Sequence, residues 1–434
     1  MNKKSFLKKL IYLLGSKLRN PTLNIAYNSL KSTEFASESE LKDLQNKKLE
    51  ELAAFCYQYS DYYKDIFDTI NVNPTQKPFG IEQLQKLPVL EKSTLISKNK
   101  ELHTLSKFDF KKAFYCETSG STGQALTFYR DEEWDSFNRA SIERGLSWYG
   151  VFPWDKNGYF WGFNFSKVKV LKTKLLDFLV NRFRLFSYSS KELDIFLNKC
   201  KKAKYVEGYS SMIYEVAKLA NEKKISITNL KLVKGTSEKI YPYFHKEALK
   251  AFGCKIVSEY GSAESGIIAF ECPAGNMHLN EETCYVECID GQAVITNLVA
   301  RSFPTLRYAL GDYIELSDGK CVCGRQHRIL KEVTGRVGKN IIGFSNKKFP
   351  SLTLYYVFKN LAINCNIELA YRCEQRAIGK LDVFLECSPN PAVQKLLINE
   401  LQKYFSGDME FQFNYVDSIQ VKGKKMKDFE SYLD

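Results

Sequence analysis

Between about Phe110 and Tyr313, short β-rich runs alternate with amphipathic helical runs along this 434-residue chain. Such alternation is typical of α/β proteins, in which helices cover a central sheet. The chain also exceeds the roughly 250–300 residues at which one hydrophobic core usually stops growing. We therefore expect a large α/β body with mixed sheets and helices, followed by at least one smaller domain.

The pattern divides the chain into three segments. Residues 1–38 form a basic amphipathic N-terminal segment, residues 39–337 form the body, and residues 338–434 form a small α+β C-terminal domain. Within the body, residues 39–106 have a largely helical periodicity. The small domain is predicted because helix and strand patterns recur on a shorter scale after Gly343.

Composition indicates a globular protein of the cytoplasm. Hydrophobic residues make up 44% and charged residues 26% of the chain, the balance of soluble globular proteins. No apolar run approaches the ~20 residues of a membrane-spanning helix, and no small-residue cleavage site follows the N-terminal apolar stretch. Most of the 12 cysteines lie singly, so they do not predict a disulfide scaffold.

The net charge of +13 does not predict a nucleic-acid partner, because the excess is spread along the chain and no nucleic-acid-binding motif accompanies it. Residues 1–20 are the densest basic stretch, and their apolar residues recur at helical spacing. Two interpretations stay open. Residues 1–20 lie on anionic lipid at the inner membrane, which would make the protein peripheral, or they form a basic helix docked on the protein's own body.

Residues 116–124 read CETSGSTGQ, with glycine and small hydroxyl residues at every position from 118 to 123. An apolar run precedes the stretch and ALTFYR follows it, so we expect a loop between two strands, with Asp131 as the N-cap of the next helix. Such a loop can direct several N–H and hydroxyl groups at one anion. It lacks the Gly-Lys-Ser/Thr of a Walker loop, and taken alone it fits a simple hairpin equally well.

Four motifs in order resemble those of the adenylate-forming (AMP-binding) superfamily. They are TSGSTG at 118–123, SEYGSAESG at 258–266, RYALGDY at 307–313 and TGRVGKN at 334–340. Other stretches, including LQKLPVLEKSTL and ECPAGNMHLNEETCYVE, resemble the phenylacetate–CoA ligase and CapK (capsular polysaccharide biosynthesis) branch. The resemblance covers about residues 40–434. It implies that ATP and Mg²⁺ convert a carboxylic acid into an acyl-adenylate and pyrophosphate, after which the acyl group is transferred.

The resemblance also implies the roles of individual residues. Asp312 would accept hydrogen bonds from the ribose hydroxyls, Arg336 would contact ribose or phosphate, and Glu264 would hold Mg²⁺. Tyr260 would stack on adenine within a motif that includes Gly261 and Ser262. The residues implied to contact the β- and γ-phosphates are Thr118, Ser119, Gly120, Ser121, Thr122 and Gly123.

A mobile C-terminal domain is a further implication of the resemblance. In this superfamily the small domain rotates after adenylation, and a lysine near its end reaches the α-phosphate only before that rotation. The stretch VKGKKMKDF offers Lys424 or Lys425 for this role. The chain has Gly338-Lys339 where the family usually has an acidic pair after the hinge arginine, so no hinge residue is assigned.

Two short segments together contain three cysteines and one histidine. They are Cys272, which precedes His278 with five residues between, and the pair Cys321 and Cys323. A Cys₃His set is a common ligand composition for structural zinc, and four protein ligands leave no position for a catalytic water. The spacing therefore predicts structural Zn²⁺ in the subregion 272–323, with buried free thiols as the alternative.

The sequence indicates the type of reaction more closely than it indicates the substrate. Resemblance to the CapK branch implies an acid activated for capsular or O-antigen polysaccharide synthesis, with CoA or an amine or hydroxyl of a glycan as acceptor. Three alternatives remain: an aryl–CoA ligase of the phenylacetate type, an adenylyltransferase that leaves the nucleotide on its acceptor, and a catalytically degenerate nucleotide-binding protein. No charged residue can be assigned to the acid pocket from the sequence.

Overall fold

The computed structural model describes residues 3–118, 126–160, 167–186, 190–336, 340–419 and 427–433. The helices are α1 (Lys3–Arg19), α2 (Leu23–Ser32), α3 (Glu38–Tyr59), α4 (Asp61–Thr69), α5 (Ile81–Leu84), α6 (Lys92–Ser97), α7 (Asn99–Leu102), α8 (Glu132–Trp148), α9 (Lys167–Leu179), α10 (Ser190–Cys200), α11 (Ser210–Glu222), α12 (Pro242–Phe252), α13 (Leu352–Cys365) and α14 (Pro391–Phe405).

The strands are β1 (Ala113–Glu117), β2 (Thr127–Asp131), β3 (Asn157–Phe160), β4 (Arg182–Arg184), β5 (Tyr205–Tyr209), β6 (Leu232–Thr236), β7 (Ile256–Ser262), β8 (Gly266–Glu271), β9 (Met277–Leu279), β10 (Cys284–Ile289), β11 (Gln292–Asn297), β12 (Tyr308–Ser317), β13 (Ile329–Arg336), β14 (Asn340–Ile342), β15 (Lys348–Pro350), β16 (Tyr371–Ala377), β17 (Lys380–Leu385), β18 (Glu410–Tyr415) and β19 (Phe429–Ser431). They alternate with helices up to α12, and nine described strands, β7 to β15, then follow one another before α13.

Helices dominate the first hundred residues, as the periodicity predicts. Ser37 caps α3 through a capping box, in which its hydroxyl accepts from the Glu40 N–H and the Glu40 carboxylate accepts from the Ser37 N–H. The helix α2, which the sequence pattern did not single out, packs its buried Leu23, Ala26 and Leu30 against α8. The N-terminal segment is therefore attached to the body rather than separate from it.

The body is organised by one mixed sheet. Among the described residues its strand order is β10-β11-β12-β13-β9-β8-β7-β6-β5-β3-β4, with β3 to β7 parallel to their neighbours and β8 antiparallel to β7. Both faces of the parallel part are covered. Val206 and Val233 pack with α11 and α12, whereas the adjacent Tyr205 and Leu232 pack with Leu146 of α8.

The small domain is a four-stranded sheet with two helices. The order of these four strands is β18-β17-β16-β19, and β14 and β15 form a separate two-stranded sheet. Leu381 and Val383 of β17 share a core with Leu397 and Leu401 of α14. The side chain of Lys218 on α11 reaches the small domain. The predicted fold class, a large α/β body plus a small α+β domain, is confirmed. The segment boundaries at residues 38 and 337 stay predictions.

None of the helices in the described part of the chain is both long enough and apolar enough to cross a bilayer. Surface attachment to a membrane is a separate matter, because an interfacial helix does not need to span the lipid.

Candidate functional site

The hydroxyl-rich stretch is held between two paired strands. β1 and β2 are antiparallel, from Ala113 opposite Asp131 to Glu117 opposite Thr127. At the neck, the Thr118 N–H donates to the Leu126 carbonyl at 2.9 Å, and the Leu126 N–H donates to Thr118 Oγ1 at 3.1 Å. The Thr118 hydroxyl hydrogen is still available to donate to an anion. The predicted loop between strands is confirmed.

The remainder of that loop lies outside the described residues, so its phosphate role stays a prediction. This concerns Ser119, Gly120, Ser121, Thr122 and Gly123. The predicted N-cap after the second strand is confirmed, because Asp131 Oδ1 accepts from the Trp134 N–H at 3.0 Å. The start of α8 is therefore fixed directly at the end of the hairpin.

An adenine motif and a ribose motif meet in the folded chain. Tyr260 on β7 donates its hydroxyl hydrogen to Asp312 Oδ2 on β12 at 2.9 Å. These strands are not neighbours in the sheet, so only the tertiary fold brings the two residues together. Asp312 is 8% exposed, and its carboxylate is an acceptor-only group, as the predicted ribose role requires. Arg336 is opposite Asp312 in the β12–β13 register, and its side chain lies outside the described part.

The turn between β7 and β8 presents a buried carboxylate. The Glu264 side chain is buried, and no described residue donates a hydrogen bond or an ion pair to its carboxylate. Its backbone carbonyl accepts from Asn297 Nδ2 at 3.1 Å, which holds the turn in place. Carboxylate oxygens are ligands that Mg²⁺ prefers. Glu264 therefore fits the predicted Mg²⁺ ligand.

Backbone packing explains two other residues of the same motif. A Cβ atom at Gly261 would lie 2.4 Å from the Gly266 carbonyl oxygen, so the close approach of β7 and β8 requires glycine there. The Ser262 hydroxyl accepts from the Ser265 N–H at 2.9 Å and shapes the turn. Arg130 of β2 donates to the Ala263 carbonyl at 2.9 Å, which attaches the hairpin to this turn.

These contacts define the candidate nucleotide site, which consists of Thr118, Tyr260, Glu264 and Asp312 among the described residues. The Thr118 hydroxyl can serve a phosphate, the Tyr260 ring a base, the Glu264 carboxylate a metal ion and the Asp312 carboxylate a ribose. Lys424, Lys425 and the hinge pair Gly338-Lys339 lie outside the described part of the chain. Their predicted roles stay predictions.

A buried charge network precedes Tyr260 in the sheet, and sequence reasoning missed it. Lys234 Nζ on β6 lies 2.7 Å from Glu259 Oε2 on β7 and 3.1 Å from Glu207 Oε2 on β5. Arg182 on β4 contacts Glu207 at 3.1 Å. Burial lowers the pKa of the Lys234 ammonium, but the two carboxylates outweigh burial and the net shift is upward. In the sequence, the network is visible only as one charged residue inside each of the apolar strands YVEGY and LVKGT.

The predicted zinc ligands converge. Cys272, His278, Cys321 and Cys323 each offer one ligand atom, and all four atoms lie within 4.8 Å of one another. The sulfurs of Cys272 and Cys321 are 3.7 Å apart, and Cys323 Sγ is 3.2 Å from His278 Nε2. Tetrahedral zinc with bonds of about 2.0–2.3 Å separates its ligand atoms by roughly 3.5–3.8 Å. We call these four residues the metal cluster.

Neighbouring groups orient the metal cluster. His278 Nδ1 lies 3.1 Å from the His327 carbonyl, which leaves Nε2 facing the sulfurs. Asn276 Nδ2 donates to Cys321 Sγ at 3.2 Å. Burial lowers the pKa of His278 to about 4, so its imidazole is neutral at physiological pH, the form that binds a metal. Hydrogen bonds to the second ring nitrogen and to the thiolate are the usual outer contacts of metal ligands.

A buried ion cluster connects other parts of the chain to the residues around the metal cluster. The Glu282 carboxylate is contacted by Arg144 Nη1 at 2.6 Å, by His327 Nε2 at 2.8 Å and by the Thr33 hydroxyl at 2.7 Å. Glu34 pairs with Arg325, which lies two residues after the last cysteine of the metal cluster. The N-terminal segment is thereby tied to the loop that carries two of the sulfurs.

Comparisons with known proteins agree in sequence and fold. No protein-family model matches the sequence. Over 408 aligned residues the chain is 24% identical to Protein CapK of Staphylococcus aureus, covering 88% of this chain and 87% of that protein.

Among solved structures, 2-hydroxyisobutyryl-CoA ligase is similar over 92% of this chain. In its postadenylation state, in complex with R3-HIB-AMP, the TM-score is 0.70 at 15% identity, covering 91% of that chain. The same ligase in complex with 2-HIB-AMP and CoA in the thioesterification state gives a TM-score of 0.57 at 15% identity, again covering 91% of that chain.

Proposed function

Since the chain is related to CapK and has the fold of the adenylate-forming ligases, we propose that it activates a carboxylic acid with ATP and releases pyrophosphate. The resemblance predicted from the motifs, and with it the ligase class, are confirmed at the level of sequence similarity and fold. The proposed product is an acyl-adenylate, from which the acyl group passes to CoA or to an amine or hydroxyl acceptor.

The observation that carries this proposal is the 2.9 Å contact between Tyr260 and Asp312, which joins the predicted adenine and ribose motifs. The half-buried ring of Tyr260 offers a face on which adenine can stack, and the acceptor-only carboxylate of Asp312 would accept from the ribose hydroxyls. The Thr118 hydroxyl can donate to a phosphate oxygen. Glu264 would hold Mg²⁺, which neutralises the negative charge that grows on the phosphates as the acid attacks.

Closure of the site is proposed to involve the small domain. Lys424 or Lys425 would supply the cation that stabilises the α-phosphate during adenylation. A move of the domain afterwards would admit the acceptor. The difference between TM-scores of 0.70 and 0.57 for two states of one ligase supports this, because similarity depends on the state of that enzyme.

The similar proteins support two classes of acyl acceptor, CoA and a glycan amine or hydroxyl. CoA is bound in structures of 2-hydroxyisobutyryl-CoA ligase, which supports CoA as acceptor here. The relationship to CapK supports a role in capsular or O-antigen polysaccharide synthesis, with a glycan amine or hydroxyl as the alternative acceptor. An aryl–CoA ligase, an adenylyltransferase and a degenerate binding protein remain the competing functions.

The metal cluster is proposed to be structural. Cys272, His278, Cys321 and Cys323 would fill all four positions of a tetrahedral zinc ion, so no position is open for water or substrate. Its contribution would be to hold the β8–β9 turn against the loop between β12 and β13. Residues 1–20 are proposed to contact the cytoplasmic face of a membrane.

Pyrophosphate exchange with a panel of carboxylic acids tests the activity. We expect exchange with at least one acid in the wild type, and a fall of about 10²–10³-fold in Glu264→Gln, which keeps the shape but removes the charge. Lys424→Ala and Lys425→Ala identify the lysine, because only the catalytic one loses exchange. Lys427→Ala, an exposed lysine in the same tail, and Glu315→Gln, an exposed acid, serve as matched controls.

The outcomes separate the competing functions. Full exchange in Glu264→Gln and in both lysine variants would overturn the proposed mechanism. Absence of exchange with every acid while ATP still binds would favour the degenerate binding protein. Recovery of AMP attached to an acceptor, rather than as free product, would favour the adenylyltransferase.

A further inference from the structure

The apolar side of α1 faces away from the protein. Phe6, Leu7, Leu10, Leu14 and Leu18 are exposed, and Leu18 reaches 80%. Their spacing of three or four residues forms a stripe along one side of the helix. A helix docked on the body by its apolar side would bury these residues. Contact with the body, where α1 makes it, therefore comes from the other side of the helix and leaves the leucines uncovered.

The opposite side of α1 attaches to the body through polar and aromatic contacts. The Tyr12 hydroxyl donates to the Glu143 carboxylate of α8, and the Tyr12 ring lies 5.8 Å from the ring of Trp154. Lys9 Nζ lies 5.2 Å from the Trp154 ring centroid. These contacts hold α1 with its leucines directed outward.

The helix α9 repeats this inverted arrangement. Leu171, Leu175, Leu176 and Phe178 are exposed, with Leu171 at 72%. The one acid of the helix, Asp177, is buried and paired with Arg184 at 2.9 Å. A surface helix of a soluble protein usually places leucines inward and charges outward, so α9 departs from the rule in the same sense as α1.

The two helices are adjacent. Lys8 Nζ on α1 donates to the Phe178 carbonyl of α9 at 2.6 Å and lies 4.2 Å from the Phe178 ring centroid. Single exposed leucines are ordinary, but two neighbouring helices with outward stripes form a patch that requires an explanation.

The charged residues around the patch are mostly positive. The sequence of α1 contains six lysines and arginines and no acid, and α9 contains four lysines and the buried Asp177. Lys17 on α1 and Lys172 and Lys174 on α9 are exposed. Outward leucines flanked by lysines match an interface of acyl chains and negatively charged headgroups.

We propose that α1 and α9 together form one docking surface for a bilayer containing anionic phospholipid. This extends the contact proposed for residues 1–20 by a second helix from the body. It rests on that contact and is independent of the ligase activity, because lipid binding requires no nucleotide. Docking by two helices fixes the orientation of the body relative to the membrane, which one helix alone would not do.

Flotation of the full-length protein with lipid vesicles tests the surface. The probes are vesicles of phosphatidylcholine alone and vesicles with about one third phosphatidylglycerol, at low salt and high salt. We expect at least tenfold more binding to the anionic vesicles, weakened by salt. The double variant Leu171→Glu/Leu175→Glu on α9 and the double variant Leu7→Glu/Leu14→Glu on α1 are each expected to reduce binding at least tenfold.

A matched control is Ile363→Glu/Leu396→Glu, which places the same two charges at exposed apolar positions of α13 and α14 in the small domain. It is expected to bind vesicles as the wild type does. Thermal unfolding midpoints of the same preparations report whether the variants remain folded, and pyrophosphate exchange in solution is measured beside them. A preparation inactive in exchange but bound to vesicles would contradict the ligase proposal and leave the docking surface intact.

Three results would overturn the proposal. Wild-type binding by the α9 variant would limit the contact to α1. Equal binding to neutral vesicles would remove the role of anionic lipid. Failure to bind any vesicle, together with self-association that the α1 and α9 substitutions abolish, would assign the patch to a second copy of the chain.

Discussion

The metal cluster and the nucleotide site use their polar groups in opposite ways. In the metal cluster, four ligand atoms lie within 4.8 Å of one another and His278 has its second ring nitrogen against a backbone carbonyl. In the nucleotide site, no described residue pairs with the Glu264 carboxylate. The first arrangement is closed on itself, whereas the second leaves polar capacity for something that is not part of the chain.

The contrast teaches how a structural site and a ligand site can be distinguished before either is occupied. Buried polar groups are normally partnered, so a convergent set that satisfies its own members points to stability. A carboxylate to which no described residue donates is instead open to a cation that is not part of the chain. Perturbing the metal cluster should therefore change stability, and perturbing the nucleotide site should change ligand binding.

The largest expected effect is removal of the metal. We expect about one zinc per chain by elemental analysis, and its loss in Cys321→Ser with a large fall in the thermal midpoint. Structural zinc contributes on the order of 10 kcal/mol to small zinc domains, so no single substitution elsewhere should match it. Cys288→Ser, at an exposed free cysteine on β10, is the control and should retain both zinc and stability. A metal-free preparation of full stability would contradict this assignment.

The next effect concerns the charge network beside the nucleotide site. Lys234→Met removes the cation that lies between the buried carboxylates of Glu207 and Glu259, so we expect a loss of about 3–5 kcal/mol in the free energy of unfolding. Urea unfolding measures it. In contrast, Lys380→Met breaks the exposed pair with Glu410 and should cost about 0–1 kcal/mol. Similar losses in both variants would show that burial does not govern these pairs.

A smaller effect is expected at the nucleotide site itself. Tyr260→Phe keeps the ring for stacking but removes the hydrogen bond to Asp312, so ATP affinity should fall about fivefold, or about 1 kcal/mol. Equilibrium binding measures this, and zinc content should not change. Tyr415→Phe removes a comparable 2.9 Å contact with Gln394 in the small domain and should leave ATP affinity unchanged. Unaltered ATP affinity in Tyr260→Phe would show that the tyrosine hydroxyl does not contribute to nucleotide binding.

Mild acid should have the smallest effect on stability. The effect should be the same for the Glu282 carboxyl near the metal cluster and for the Glu207 carboxyl of the charge network. Burial raises the pKa of the Glu282 carboxyl, but Arg144 and His327 outweigh burial and hold it well below its usual range. Lys234 and Arg182 likewise lower the pKa of Glu207 despite its burial. Such carboxyls stabilise the fold above their unfolded pKa of about 4.3, and that stability is lost as pH falls through the lowered folded-state pKa.

Urea midpoints should therefore be insensitive to these two carboxyls between pH 7 and about 5.5, with losses beginning below about pH 4. A chelator, unlike acid, should distinguish the regions, because only the metal cluster depends on a bound ion. A steep loss of stability already between pH 7 and 5.5, in the presence of zinc, would show that other groups dominate.

Much of this molecule is encoded in local patterns. Alternating apolar runs predicted the α/β body, and the capping preference of Asp131 predicted the start of α8, because both depend on neighbours in the sequence. The set Cys272, His278, Cys321 and Cys323 was identifiable because few residue types bind zinc. The charge network of Lys234 was not identifiable, since partners on separate strands leave no spacing rule in the sequence.

The amino-acid sequence by itself determined which segments are helices or strands, which residues can ligate metal, and that α1 is amphipathic. Only the tertiary structure decided which way each group faces. It brought Tyr260 to Asp312 across non-neighbouring strands, turned His278 Nε2 toward the sulfurs, and directed the leucines of α1 outward. The physical reason is that an amphipathic pattern specifies two sides, whereas long-range contacts such as Tyr12 with Glu143 determine which side meets the protein.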